Sequence, residues 1–174
     1  EDLFTDGDVK LAPEVPEWRN GFTVVFSGNI GEAQDMPALL EAAESLKSNA
    51  SIRWIIVGDG RKFDWLQSEV VKRGLDKQVL LLGRFSIDRM PSFYARADAL
   101  LVSLKADPVF ALTVPSKVQS YLMAGVPVLH SVEAGNDPVA ESGCGLTVAP
   151  ESPTAVAEGL QRLAAATPAE RQAM

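Results

Sequence analysis

The stretch RWIIVGDGRKFDWLQSEVVKRGLDKQVLLLG, residues 53–83, decides the fold. It opens on a short apolar run, Arg53–Val57, and closes on another, Val79–Leu82. Between them Phe63, Leu66 and Val70 recur at helical spacing, and Gly74 suits the left-handed turn that ends a helix. Strand, helix and strand within about thirty residues make one βαβ unit, whose long connection implies parallel pairing. The apolar runs are continuous rather than alternating, as in strands covered on both faces.

The same alternation extends in both directions. Further strand-like runs are Thr23–Ser27, Ala99–Ser103, Val126–Leu129 and Gly145–Val148. Helical spacing recurs in Met36, Leu39, Leu40 and Ala43, with Asp35 placed as N-cap, and in Met90, Phe93, Tyr94 and Ala97. Val156, Leu160, Leu163 and Ala164 give another helix near the end. The expectation is an α/β fold: a doubly wound parallel sheet of about six strands with helices on both faces. Residues 1–20 are acidic, carry Pro13 and Pro16, and read as a linker. Residues 21–166 read as the domain, and 167–174 as the start of a further helix. The chain begins with Glu1 rather than Met, so the expectation is a piece of a longer protein.

Composition narrows the function. The chain has 174 residues, 47% of them apolar and 22% charged, enough for one domain with its own core. A net charge of −7 argues against a nucleic-acid partner, which selects for a basic field. Cys144 is the single cysteine, so neither an intrachain disulfide nor a cysteine-based zinc site is open to it. No apolar run reaches the roughly 18–20 residues that cross a bilayer.

In an open parallel sheet, ligands bind beyond the carboxyl ends of the strands. The loops expected there are SGNIGEAQD (27–35), GDGRK (58–62), GRFS (83–86), LKADPVFALTVPSK (104–117) and HSVEAGND (130–137). They carry Gly28, Gly31, Gly58, Gly60 and Gly83, which allow close approach of backbone to a ligand. They also carry Arg61, Lys62, Arg84, Lys105 and Lys117, a set of cations in an acidic chain. Any one of these is ordinary loop chemistry; their convergence on one rim suggests an anion site.

Lys117 has a specific context. Ser116 and Gln119 have capping-box spacing, which would start a helix at Lys117 and present free N–H groups to an anion. Ser120 lies one turn on, Val118 and Leu122 would face the sheet, Gly125 ends the helix and Pro127 blocks its continuation. A plain helix cap with a solvated lysine fits the residue types equally well. GDGRKF (58–63) lacks the third glycine of a dinucleotide fingerprint, and no phosphate-loop lysine motif is present. His130 stands alone at the expected end of the fifth strand, where a structural role is commoner than a ligand contact. Residue types and spacing thus reach an α/β domain that binds a phosphorylated small molecule, without naming a reaction.

Several segments in order resemble the C-terminal, donor-binding half of a GT-B-fold glycosyltransferase of the retaining family 4. They are VVFSGNIGEAQDMPALLEAA, WIIVGDGRKFDWLQSEVVKRGLDKQVLLLGRF, MPSFYARADALLVSL, PSKVQSYLMAGVPVL and SGCGLTVAPESPTAVAEGLQRL, between Phe22 and Leu163. The GNIGEAQ and PSKVQSYL wording resembles a bacterial branch that builds surface polysaccharides from N-acetylated amino-sugar donors. The resemblance implies a nucleotide-sugar donor, UDP-linked, as substrate, with no metal and no cofactor. It implies an acceptor glycan or lipid-linked sugar bound through an absent N-terminal domain, and a cytoplasmic site at the inner membrane face. The isolated domain is expected to lack transferase activity.

By position, the resemblance places Gly83, Arg84 and Phe85 at the nucleotide base, and Arg61 or Lys62 near the diphosphate. It places Gly28, Asn29 and Gly31 in the loop facing the cleft, and Ser116, Lys117 and Ser120 at the helix under the diphosphate. Many family members carry two glutamates spaced E-x7-E on this segment. Here those positions are Leu112 and Ser120, so the usual carboxylate contacts are missing or come from elsewhere, with Glu133 and Glu141 as candidates. Competing readings are a non-catalytic nucleotide-sugar-binding module and a GT-B sugar-nucleotide epimerase half. A nicotinamide domain is weaker, because FSGNIGEAQ offers G-x-x-G where that fingerprint needs G-x-G-x-x-G.

Overall fold

The computed structural model describes residues 10–18, 21–49, 51–108, 114–133 and 135–174. Six strands form one all-parallel sheet: β1 Phe22–Ser27, β2 Ile52–Val57, β3 Val79–Gly83, β4 Ala99–Ser103, β5 Val128–Ser131 and β6 Gly145–Val148. Their order is β3-β2-β1-β4-β5-β6, the doubly wound arrangement in which the chain reverses direction of travel between β1 and β4. The helices are α1 Met36–Ser45, α2 Phe63–Lys72, α3 Met90–Tyr94, α4 Lys117–Met123, α5 Pro138–Ser142, α6 Pro153–Ala165 and α7 Pro168–Gln172. Short 3₁₀ turns precede α1 at Glu32–Gln34 and α3 at Ile87–Arg89. Among the described residues, no helix is long and apolar enough to cross a membrane.

The sheet divides the core into two layers, because alternate strand residues face opposite sides. Phe22, Val24 and Phe26 of β1 pack with Leu39, Leu40 and Ala43 of α1 and Val156, Leu160 and Leu163 of α6. Val25 faces the other side, with Phe93 and Tyr94 of α3, Val118 and Tyr121 of α4, and Val139 of α5. Residues in the expected linker join this second layer. Ala12 and Val15 are buried, Ala12 N–H donates to the Ser92 carbonyl, and Glu14 holds Arg89 at 2.8 Å.

Four local expectations are corrected. The fifth strand starts at Val128 rather than Val126, because Pro127 brings no N–H to the ladder; its carbonyl still accepts from Leu100. Leu122 is 37% exposed and Tyr121 takes the inward place beside Val118, an i, i+3 edge instead of i, i+4. Ser116 makes no capping bond, because it already has helical backbone angles, which turn its hydroxyl away from the first-turn amides. Asp35 stands at the N-cap of α1 but is left-handed, φ 49°, with no regular side-chain capping bond.

Candidate functional site

The strand reversal opens a cleft of about 1330 Å³ at the carboxyl ends of the central strands. Parallel pairing of β1 with β4 covers Val24↔Ala99 and Val25↔Leu100, whereas β1 stays paired with β2 through Ser27↔Val57. One wall of the cleft is the β1 loop and the Gly58–Asp59–Gly60 turn. These are tied together by Gly28 N–H to the Val57 carbonyl (2.9 Å), Ile30 N–H to the Asp59 carbonyl (2.8 Å) and Lys62 N–H to the Ile30 carbonyl (3.0 Å). Gly58, φ 148°, lies so close to the Gly28 carbonyl that a Cβ there would collide with it. The opposite wall is Arg84 and Phe85 after β3, Met90 and Tyr94 of α3, and Ser116, Lys117 and Ser120 at α4.

Lys117 is the centre of the site. It lines the cleft, yet its Nζ is buried and, among the described residues, makes no hydrogen bond. It sits 4.0 Å from the centre of the Phe26 ring, and a Cβ on Gly28 would be 3.0 Å from it. Loss of hydration brings its ammonium down to about 8 from the ordinary 10.5. A buried cation with an aromatic face on one side and open cleft on another is electrostatically unfinished, and an anion in the cleft would complete it. The helix itself adds less than expected. α4 is seven residues long, and the Pro115 carbonyl already takes the Val118 N–H.

Beneath the cleft lie three hydroxyls. Ser27 N–H donates to Tyr121 Oη (2.9 Å), while Ser27 Oγ is bonded to Tyr94 Oη (2.9 Å) and Tyr121 Oη (3.1 Å). The two rings meet edge to face, 5.3 Å apart. Burial pushes both phenols above their usual value, Tyr121 much further than Tyr94. At the mouth, Phe85 packs edge-on against Phe93 at 4.8 Å, and Arg89 lies over both rings.

The structure brings Gly28, Asn29, Arg84, Phe85, Ser116, Lys117 and Ser120 together on this cleft. It places the other expected residues differently. Gly31 is buried behind the loop, where its N–H donates to Gln34 Oε1, and Gly83 ends β3 short of the wall. Lys62 is paired with Glu32 at 2.7 Å, and Arg61 is exposed outside the lining. Glu133 and Glu141 are exposed and also outside it; Asp59 is the carboxylate among the lining residues. Leu112 lies outside the described residues. His130 is fully buried on β5, 3.2 Å from Asp137, which caps α5 through the amides of Val139 and Ala140. Sequence reasoning missed Ser27, Tyr94 and Tyr121. Helical spacing marked Tyr94 as core and turned Leu122 rather than Tyr121 inward, and nothing local shows that the two hydroxyls meet. Among the described residues, no three of His, Cys, Asp and Glu are grouped so as to hold a metal ion.

Known proteins share this fold. The family model "Glycosyl transferases group 1" matches residues 21–166. The probable glycosyltransferase WbjE of Pseudomonas aeruginosa is 31% identical over 149 residues, covering 82% of this chain and 36% of the relative. The putative colanic acid biosynthesis glycosyl transferase WcaI of Escherichia coli is 30% identical, covering 80% and 34%. The chain therefore spans about a third of the length of these curated relatives. Among solved structures, the C-terminal domain of the group 1 glycosyl transferase LpcC of Francisella tularensis superposes with TM-score 0.71 at 21% identity, covering 88% of this chain and 80% of that one. Anabaena HepE, solved in complex with UDP and glucose, gives TM-score 0.64 at 19% identity, covering 88% and 43%. With the match spanning the sheet, both core layers and the cleft, the chain belongs to the group 1 glycosyltransferase family.

Proposed function

We propose that this chain is the donor-binding half of a glycosyltransferase that moves a sugar from a nucleoside diphosphate, UDP, to a polysaccharide-precursor acceptor. The observation that carries the reading is the buried ammonium of Lys117 on the cleft beside Gly28, without a hydrogen-bond partner among the described residues. When the bond between the anomeric carbon and the diphosphate oxygen breaks, negative charge grows on the leaving group. A fixed cation in a site of low polarity stabilises that charge without reorganising. Phe85, Met90 and Pro91 supply an apolar surface for the base, and Arg84 stands beside them. Support for UDP comes from relatives of the same fold, HepE and the pneumococcal GtfA, both solved with UDP.

The finer reading is an N-acetylated amino sugar as the transferred group and a lipid-linked or glycan acceptor. The acceptor would be held by a further domain, at the cytoplasmic face of the inner membrane. The nucleotide sugar is the substrate, so the reaction needs no resident cofactor. A titration of the isotope-labelled chain with UDP, GDP, ADP and NAD tests the donor. Saturable shifts with UDP at residues 28–29, 84–85 and 116–120 are expected. A response to NAD alone would overturn the reading, and GDP in place of UDP would change the donor. This chain alone is expected to give no turnover, whereas the longer protein transfers sugar from its UDP donor; a longer protein that binds UDP-sugar and transfers nothing would favour a binding module.

A further inference from the structure

We propose that Tyr121 is a positioning residue: its hydroxyl takes the place of the missing β1–β4 ladder at the strand reversal and so sets Lys117 under Gly28. The inference rests on the donor-site reading for its functional meaning, but its geometry stands alone. Along a strand, successive N–H groups point to opposite neighbours. Gly28 N–H points to β2, where Val57 accepts it, so Ser27 N–H points toward β4. Pairing there has already ended at Val25↔Leu100. The Ser27 amide is buried in the gap where the strands part, and Tyr121 Oη fills that gap at 2.9 Å. A phenylalanine would supply the same ring and leave the amide without a partner.

Tyr121 and Lys117 are four residues apart on α4 and share a helix face. They grip the end of β1 from two sides. Tyr121 binds Ser27 on the α3/α4 layer, while Lys117 reaches the Phe26 ring and Gly28 on the other. Apart from Val118, which packs in the same layer as Tyr121, little else on α4 is buried. It has one exposed flank, Leu122 and Met123, and Ser116, just before it, makes no cap. Loss of the hydroxyl would let the helix slip relative to β1, and the ammonium would leave its place against the ring. Titratable groups facing Lys117 across the cleft are Asp59, Arg84 and Tyr94.

The test compares the wild-type chain with Tyr121→Phe and, as control, Met123→Ala, an exposed residue of the same helix outside the cleft lining, which leaves the Ser27 amide bonded. Lys117 is followed by side-chain NMR through a pH titration, and affinities for UDP and uridine are measured. In Tyr121→Phe, the Lys117 midpoint is expected to rise from about 8 toward the ordinary lysine range, and Met123→Ala leaves it in place. UDP affinity falls roughly tenfold in Tyr121→Phe while uridine affinity holds, because only the diphosphate meets the lysine. An unmoved midpoint in a folded Tyr121→Phe overturns the proposal. A wild-type chain that ignores UDP sinks the donor reading, while the midpoint still decides the positioning role. Should Tyr121→Phe fail to fold, 3-fluorotyrosine reports on the chain's only two tyrosines, Tyr94 and Tyr121. The Tyr121 signal must then shift as Lys117 titrates, and a signal blind to that titration overturns the proposal.

Discussion

Lys117 Nζ lies 4.0 Å above the centre of the Phe26 ring and, among the described residues, makes no hydrogen bond. The ring lowers the cost of burying the ammonium but supplies no counter-charge. A site built this way sacrifices stability to keep a cation ready.

Lys117→Met is therefore expected to stabilise the domain while weakening UDP binding. The folded value of about 8 lies below the ordinary 10.5, so charging Lys117 costs the folded state. That cost is absent above pH 10.5, grows as pH falls toward 8, and is constant below. At pH 7 the variant should gain on the order of 2 kcal/mol in urea unfolding, and the difference should vanish near the ordinary lysine value. Equal stabilities at pH 7 would count against a buried charge.

UDP binding should take up a proton. Between pH 8 and 9.5 much of the free protein holds Lys117 neutral, and the diphosphate draws it back to the charged form. Calorimetry at pH 8.5 in buffers of different ionisation enthalpy should show net uptake that Lys117→Met abolishes. Affinity should decline as pH rises through 8.

Gly58→Ala should disable the fold locally or entirely. Its φ of 148° is strained for alanine, and the new methyl would run into the Gly28 carbonyl. A loss of about 3 kcal/mol or more is expected by denaturation, since two backbone loops would have to separate. A variant within 1 kcal/mol of wild type would mean that the β1 and β2 loops are less tightly joined than their 2.9 and 2.8 Å bonds indicate.

His130 should govern part of the acid limb. Burial depresses its basicity, with Asp137 opposing the effect. The contribution of a neutral buried histidine is present above the ordinary value of about 6.5 and is lost as pH falls through the lowered folded value. Acid unfolding of His130→Leu should therefore lack the component that begins near pH 6.5 in the wild type. Coincident acid limbs would show that His130 gains its proton without cost.

Much of the molecule was readable in advance, for physical reasons. Continuous apolar runs such as WIIV and LLVS have one stable use in a chain with helices between them, so the parallel sheet followed from period and order. The glycine-rich loop ends and Lys117 were legible as neighbours on one rim because the loops after parallel strands lie at one edge of the sheet. Lys62 was misplaced because sequence cannot show that Glu32, thirty residues away, would neutralise it. Leu122 was misplaced because a helix of seven residues has too few turns for period alone to orient it.

The sequence by itself determined the secondary structure, the strand class and the edge of the sheet where chemistry belongs, because these depend on local pattern and on connection length. Only the tertiary structure decided which cation is buried on the cleft and what keeps it in place. Ser27 and Tyr121 are 94 residues apart, and their hydrogen bond exists only because β1 and β4 part between them. The burial of Lys117 is likewise a property of packed layers, set by Phe26, Gly28 and α4 together.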